Sequence, residues 1–499
     1  MIREPLAIPL RAARPPLVLA LDVGTSGLRA FLFDARARPI RSCIAHSDRA
    51  VRTSADGEAT LDASERASAA IGAIDRVVDR AGKRAGEIAA VATSTFWHSL
   101  VGIDTTGKPT TRVLTWADTR ARRAAQGLRR ELDEDALHAR TGCRVHASYL
   151  PAKLRYLREA EPDAYRRTAC WLSFGEYLYL RLFGERRAGH GMASASGLYD
   201  QRARDWDDAL LARLEVSRER LSPIDDAPQQ ELRPAFGRRW PALASVPWLP
   251  AIGDGACSNV GAGAVGREVA ALFLGTSGAL RVVYRGDDPP VVRGGWTYRL
   301  DRERVVAGGA LSNGGNVLWW LRAMFPRVDL ERVLRGAGDP QGLVALPLLA
   351  GDRSPSWDDA ARAAVVGMGL GTRPEDVARA MVEGMALRVA RLWELVNEAL
   401  PGVRTLVATG GTLLGSTALL QLFADATGRP LIASAAGEGS ARGAAIVALE
   451  RLGVLADITD APAPRGRAFR PRAEAHQRLR AAMARQGQLE TALRRLRSR

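Results

Sequence analysis

Asp22 closes the apolar run Leu17 to Leu21 and heads the segment Asp22-Val23-Gly24-Thr25-Ser26-Gly27. A carboxylate there can orient Mg2+, usually through water, while a glycine-permitted turn with exposed backbone N–H groups and two hydroxyls cradles a phosphate. A plain β-hairpin with an Asp at its neck would read the same way. The second copy, Gly275-Thr276-Ser277-Gly278, adds weight, because two such hairpins can grip one polyphosphate between them. Asp254 lies in Gly253-Asp254-Gly255, with small residues running on to Gly263. An Asp at such a junction can face a cleft and take the proton of a hydroxyl, or simply cap a helix. Gly410 and Gly411 follow the apolar stretch Val403 to Ala408, where paired glycines let adenine or ribose lie on the backbone or merely make a tight turn. Phe96-Trp97-His98-Ser99 and Trp116-Ala117-Asp118-Thr119-Arg120 supply indole faces that stack on sugar C–H groups. Their His98, Asp118 and Arg120 can bond hydroxyls or a carboxylate.

These residues must be held by strands and turns, and the sequence repeats the holder. Leu17 to Asp34 and Val269 to Tyr284 each read as apolar run, Gly-Thr-Ser-Gly, apolar-rich run, which predicts strand, tight turn, strand. The turn glycines Gly24 and Gly275 are expected at positive φ. Because a strand follows each turn, neither copy is a Rossmann or Walker loop, both of which open a helix. Between and after the echoes, helical and strand patterns alternate: helices over 63–81, 376–398 and 416–426, strands over 88–95 and 403–408. That alternation predicts an α/β protein. The division predicted is a first lobe over 17–250, ending at Val246-Pro247-Trp248-Leu249-Pro250, a second over 251–460, and a basic tail over 461–499. Within the tail, 461–471 reads as a linker and 473–499 as a helix.

The chain has 499 residues, 46% hydrophobic and 25% charged, the balance of a globular protein too long for one core. Its formal charge of +16 comes with only three lysines, Lys83, Lys108 and Lys153, among 71 basic residues. Arginine spread along the chain with no aromatic-interleaved basic motif predicts no nucleic-acid partner and leaves an anionic small substrate as the use of the field. Four cysteines without CxxC spacing, no signal segment and no run of about 20 apolar residues predict a cytoplasmic protein that does not span a membrane. Nothing fixes the oligomeric state; a homodimer is one assembly the sequence allows.

Together these motifs resemble the FGGY family of carbohydrate kinases from about Leu17 to Leu455. The C-terminal signature is present as Ala363, Val365, Gly367-Met368, then Asp376-Val377, then Ala380-Met381-Val382-Glu383. Within the family the chain is most similar to gluconokinases, through Thr115 to Asp118, Arg140-Thr141-Gly142 with His146, Ala193 to Leu198 before Asp205-Trp206-Asp207, Asp254 to Ala256 with Asn259, and Asn313-Gly314-Gly315. The resemblance implies two RNase H-like, actin-like ATPase domains around a central cleft. It further implies ATP and Mg2+ as cofactors, Asp254 as catalytic base, and phosphate loops over Asp22, Gly24, Thr25 and Ser26 and over Gly275, Thr276 and Ser277. Arg29 falls on the nucleotide side, Asp22 on the metal, Gly410 and Gly411 at the adenosine, and His98, Trp116, Asp118 and Arg120 with Asp254 at the sugar. D-gluconate is the substrate this implies first and xylulose or another sugar or polyol second, with a non-catalytic actin-like ATPase as the rival from another class. Three positions depart from the pattern: Trp97 replaces the usual Met, Thr412 to Ser416 the usual charged or aromatic run, and Asp352 the usual Glu.

Overall fold

The computed structural model describes residues 7–48, 50–336 and 342–497. Its first sheet is built on Leu17–Val23 (β1), Gly27–Phe33 (β2), Pro39–Asp48 (β3), Ile88–Thr95 (β4) and Ile252–Gly253 (β5). Among the described residues the order is β5-β4-β1-β2-β3, with β1 antiparallel to β2 and parallel to β4. All seven residues of β1 are buried, which requires cover on both faces of the sheet. The period of two assigns the cover. Leu17, Leu19 and Leu21 pack with Ala67, Ile71 and Ile74 of helix Ala63–Ala81 (α1), whereas Val18 and Ala20 pack with Ala444, Ala445 and Ala448 from the far end of the chain. Helix α1 begins where the Asp62 side chain accepts from the N–H of Glu65 and ends at Gly82.

The second sheet repeats the plan with Val269–Leu274 (β6), Gly278–Arg285 (β7), Trp296–Arg299 (β8), Arg304–Leu311 (β9), Thr405–Thr409 (β10) and Leu431–Ser434 (β11). Strands β9-β7-β6-β10-β11 stand in the same order and senses as β3-β2-β1-β4-β5 of the first sheet, apart from an extra strand on each edge. The sequence echo is therefore a repeat of the whole sheet plan. Beneath it, Leu272 and Leu274 share a core with Met381, Val382 and Met385 of the long helix Pro374–Ala399.

Two chain segments cross the division expected from sequence. Strand β5 pairs with β4 and keeps the chain in the first sheet past residue 250, and helix Gly439–Arg451 returns from the second half to cover that sheet. The segment read as a linker contains Arg465–Phe469 (β12), antiparallel to β11, with Leu431 opposite Phe469. Its exposed arginines and Gly466 conceal the strand from sequence, and exposed charge is what a sheet edge carries. The terminal helix spans Ala473–Arg497. Among the described residues no helix is long and apolar enough to cross a membrane, and the four cysteines are free and buried.

Candidate active site

Parallel pairing brings two carboxylates to one sheet edge. In register, Asp22 of β1 stands beside Ser94 of β4, and Ser94 beside Ile252 of β5, two residues before Asp254. Carboxyl ends of parallel strands are where an open α/β sheet leaves a crevice. Asp22 accepts from the Ser94 hydroxyl at 3.3 Å and faces Arg29, its partner across the hairpin, at 3.5 Å. Arg29 is held from the other side by Glu438. Burial raises the Asp22 carboxyl above its ordinary range, against the pull of Arg29 and Ser94.

Asp254 opens the helix Asp254–Gly261 (α2) without capping it. The cap position is Gly253, which has no side chain to cap with, and Asp254 is the first residue of the helix. One oxygen accepts from the Gly255 N–H at 2.7 Å. Burial pushes the carboxyl up to about 6; Arg281 pulls it down and Asp22 pushes it further up. Both neighbours of Asp254 must be glycine. A Cβ on Gly253 would lie 1.9 Å from the Trp97 indole, and one on Gly255 2.5 Å from that ring and 2.6 Å from the Arg281 guanidinium. Trp97, in place of the usual Met, is thus the plate on which the Asp254 backbone rests, and its Nε1 donates to the Gly191 carbonyl at 3.0 Å.

Arg281 comes from β7. Its Nε donates to Asn259 Oδ1 at 3.2 Å, while Asn259 Nδ2 donates to the Arg281 carbonyl at 3.0 Å, so α2 itself aims the guanidinium. Burial lowers Arg281 to about 10, and Asp254 opposes the shift. Sequence reasoning missed this residue. Its signal was one charge inside the buried strand Gly278–Arg285.

His98 sits at φ 61° after Trp97, its Nδ1 2.7 Å from the Ala195 carbonyl. A carbonyl only accepts, so Nδ1 carries the proton and Nε2 keeps its lone pair. Burial lowers His98 to about 3, which keeps the ring neutral. It lies edge-on to Tyr149 and Tyr298 at 4.9 and 5.6 Å between ring centroids. The buried Lys153 ammonium donates to the carbonyls of His98 and Thr115 and so ties the turns carrying His98 and Trp116 together, a role nothing in the sequence announced. Trp116 carries the Arg353 guanidinium over its face, 5.2 Å from the ring centroid. Asp118 and Arg120 come together, but with each other: Arg120 Nη2 donates to Asp118 at 2.7 Å and Nε at 3.1 Å, and the Ala59 N–H donates to the same carboxylate. Arg120 is the counter-ion of Asp118 and not an open cation.

Each loop is closed by its leading glycine, but in a different register: Gly24 N–H donates to the Gly27 carbonyl, three residues on, and Gly275 N–H to the Ser277 carbonyl, two residues on, both at 2.9 Å, with Ser26 and Thr276 exposed at the tips. Neither glycine is at positive φ, contrary to the sequence expectation. Close neighbours constrain them, since an added Cβ would lie 3.0 Å from the Gly27 carbonyl or 2.8 Å from the Phe273 ring. Beneath the first loop the buried Arg66 donates to the Thr25 carbonyl. The helix Gly315–Met324 directs its first N–H groups at the second loop, Gly315 to Gly275 at 2.7 Å and Asn316 to Thr276 at 3.1 Å. Gly410, at φ 88°, lies against the Leu274 carbonyl, 2.4 Å from where a Cβ would be, and Thr412 Oγ1 donates to Gly275 at 3.3 Å. Second loop, Gly314-Gly315 and Gly410-Gly411 therefore form one surface. Phe273 of β6 stands where β1 has Asp22, so of these two positions only that in the first hairpin carries a carboxylate.

Residues 17–261 match the N-terminal domain of the FGGY family of carbohydrate kinases and residues 270–450 its C-terminal domain. The chain belongs to the FGGY family of carbohydrate kinases. It has that family's two-domain actin-like ATPase fold. It is 26% identical to the gluconokinase of Bacillus subtilis (strain 168) over 458 residues, 88% of each chain. It is 28% identical to the glycerol kinase of Deinococcus radiodurans over 450 residues, 86% of this chain and 88% of that one. The ligand-bound xylulose kinase of Lactobacillus acidophilus superposes with a TM-score of 0.89 at 23% identity, covering 96% of this chain and 98% of that one. Relatives acting on an acid, a polyol and a ketose share this FGGY frame, so the frame fixes kinase chemistry and leaves the sugar to the residues lining the site.

Proposed function

We propose that the protein transfers the γ-phosphoryl group of ATP to the terminal hydroxyl of D-gluconate, giving 6-phosphogluconate. The observation that carries the reading is Asp254, raised by burial and flanked by Arg281 and Asp22 at the edge shared by β1, β4 and β5. Phosphoryl transfer needs positioning and charge neutralisation more than covalent chemistry. Asp254 accepts the proton of the attacking hydroxyl, and Arg281, held by Asn259, steadies the carboxylate. The loops at Gly24 to Ser26 and Gly275 to Ser277 receive the phosphates, with Arg29 holding Asp22 in place, and Gly410 and Gly411 receive the adenosine.

The donor set fits Mg2+ in the manner of nucleotide kinases. Among the described residues no group of three His, Cys, Asp or Glu side chains converges on a metal position, and Asp22 with Asp254 offers only two carboxylates, which suits an ion that keeps most of its water. Bound there, Mg2+ would neutralise charge on the β- and γ-phosphates. Asp22 would hold it, through water.

On the sugar side, neutral His98 presents a lone pair to a hydroxyl, Trp116 and Tyr149 present faces and edges to the carbon chain, and the Asp118–Arg120 pair fixes the turn carrying Trp116. The Bacillus subtilis gluconokinase match along 88% of the chain supports gluconate over xylulose. Product analysis tests the reaction. After incubation with gluconate and Mg2+·ATP, phosphorus NMR is expected to show a phosphomonoester coupled to the terminal methylene protons; ADP formation with no sugar phosphate would instead mark an uncoupled ATPase.

A further inference from the structure

The segment Gly351 to Ala361 belongs to the second half of the chain but addresses the first. Trp357 lies against Tyr149 and His146, Asp359 accepts from His146, and Arg353 reaches over Trp116. One Arg353 amino group donates to the Leu311 carbonyl at 2.9 Å. Among the described residues, no carboxylate lies within ion-pair distance, 4.0 Å, of its guanidinium. Arg120 differs on this point, with Nε and Nη2 both spent on Asp118 and Nη1 3.8 Å from Glu161. Arg281 belongs to the reacting end, where it acts on Asp254, and Arg353 lies near enough to act on Arg281.

We propose that Arg353 selects an acid sugar by receiving the substrate carboxylate on its guanidinium, beside Trp116. The proposal rests on the aldonate reading above and names the residue that reads the acid. An open-chain aldonate carries its carboxylate and its terminal hydroxyl at opposite ends of the carbon chain, so the cation that reads the acid must stand apart from the base. Stacking on Trp116 leaves the planar fork of the guanidinium available to a carboxylate, the bidentate geometry in which arginine surpasses lysine.

The tail holds this cation in place. Asp352, beside Arg353, is buried and accepts from Arg388 Nη2 and the Ser356 hydroxyl, both at 2.5 Å. Arg388 Nη1 donates to Glu490 of the terminal helix, Leu489 and Leu493 of that helix pack on Leu346, Leu348 and Ala361, and Arg497 pairs with Asp358. The shorter Asp at 352 thus sits in a chain of charges that ends in a helix beyond the residues matched to the family, 270–450. Glu490 is a positioning residue, acting on the sugar through Arg388, Asp352 and Arg353.

The test measures kcat and KM for gluconate, xylulose and ATP in the full chain and in Arg353→Met, Arg353→Lys, Arg120→Met and Glu490→Gln, with thermal unfolding as the check on folding. Arg353→Met is expected to lower kcat/KM for gluconate on the order of 10²-fold, mostly through KM, while xylulose and ATP change by less than about threefold. Arg353→Lys recovers part of the loss. Glu490→Gln raises KM for gluconate several-fold with kcat and KM for ATP unchanged, a split that lost stability alone would not give. Should Arg353→Met not fold, Arg353→Lys gives the same comparison at smaller size. Equal losses for gluconate and xylulose, or a raised KM for ATP, would overturn the assignment of Arg353. So would a gluconate preference that survives Arg353→Met and collapses in Arg120→Met. A full-length enzyme that prefers xylulose overturns the aldonate reading itself, and Arg353 as its acid reader with it.

Discussion

At the scale of single residues, Asp254 has two measurable consequences of opposite kind. A general base contributes roughly 10²- to 10⁴-fold, so Asp254→Asn is expected to lower kcat by that factor while leaving ATP affinity near normal in a binding titration. Near-normal turnover would remove Asp254 from the mechanism. Its carboxyl is raised to about 6 from an ordinary 3.8. The base acts as the anion, so kcat/KM should be flat above about pH 6 and fall tenfold per pH unit below it; an acid limb near pH 4 would contradict the buried setting. A folded pKa above the unfolded one favours the protonated fold, so this contribution to stability is full below about pH 4 and lost as pH rises through about 6. At pH 8 the charged group costs on the order of 3 kcal/mol, and Asp254→Asn should unfold at a higher temperature there than the parent protein. Asp254 was legible in the sequence because glycines flank it after a short apolar run. Arg281 and Arg353 were not, because 27 and 99 positions separate them from it along the chain, and arginine abounds everywhere in this sequence. The roles of Asp118 and Arg120 depended on orientation: two residues apart across a turn, they satisfy each other.

At the scale of elements, the two hairpins were readable because each repeats an apolar run, Gly-Thr-Ser-Gly and a second strand, and the sheets reproduce that repeat down to strand order. What constrains the glycines was not readable, since it depends on which atom faces each one. Gly24→Val and Gly275→Val should both weaken ADP binding in the folded protein, through collision with the Gly27 carbonyl and with Phe273. An effect from only one of them would break the two-hairpin clamp. Gly410 is constrained twice, by φ 88° and by the Leu274 carbonyl 2.4 Å from a would-be Cβ. Gly410→Ala should cost roughly 1–3 kcal/mol in a denaturant titration and weaken ADP binding as well. Stability within about 0.5 kcal/mol of the parent protein would show that the turn relaxes freely.

At the scale of the whole molecule, the chain is interlaced. Helix Gly439–Arg451 covers the first sheet, Glu438 at its start holds Arg29, and segment 351–361 reaches across to Trp116 and Tyr149 of the first lobe. The second half of the chain thus supplies parts of the first lobe, so approach of the lobes on substrate would complete the site and exclude water, which suppresses idle ATP hydrolysis. A sequence read in order could not show this interlacing, because helix Gly439–Arg451 and the terminal helix carry no motif of their own. The central claim, a kinase whose sugar site is built for an acid, is tested most directly by kcat/KM for gluconate against xylulose, ribulose and glycerol under the same Mg2+·ATP conditions. A site that pairs a carboxylate leaves its cation unpaired with a neutral substrate. The account predicts gluconate ahead by tenfold or more, about 1.4 kcal/mol in transition-state binding. A neutral sugar ahead by that margin would contradict it.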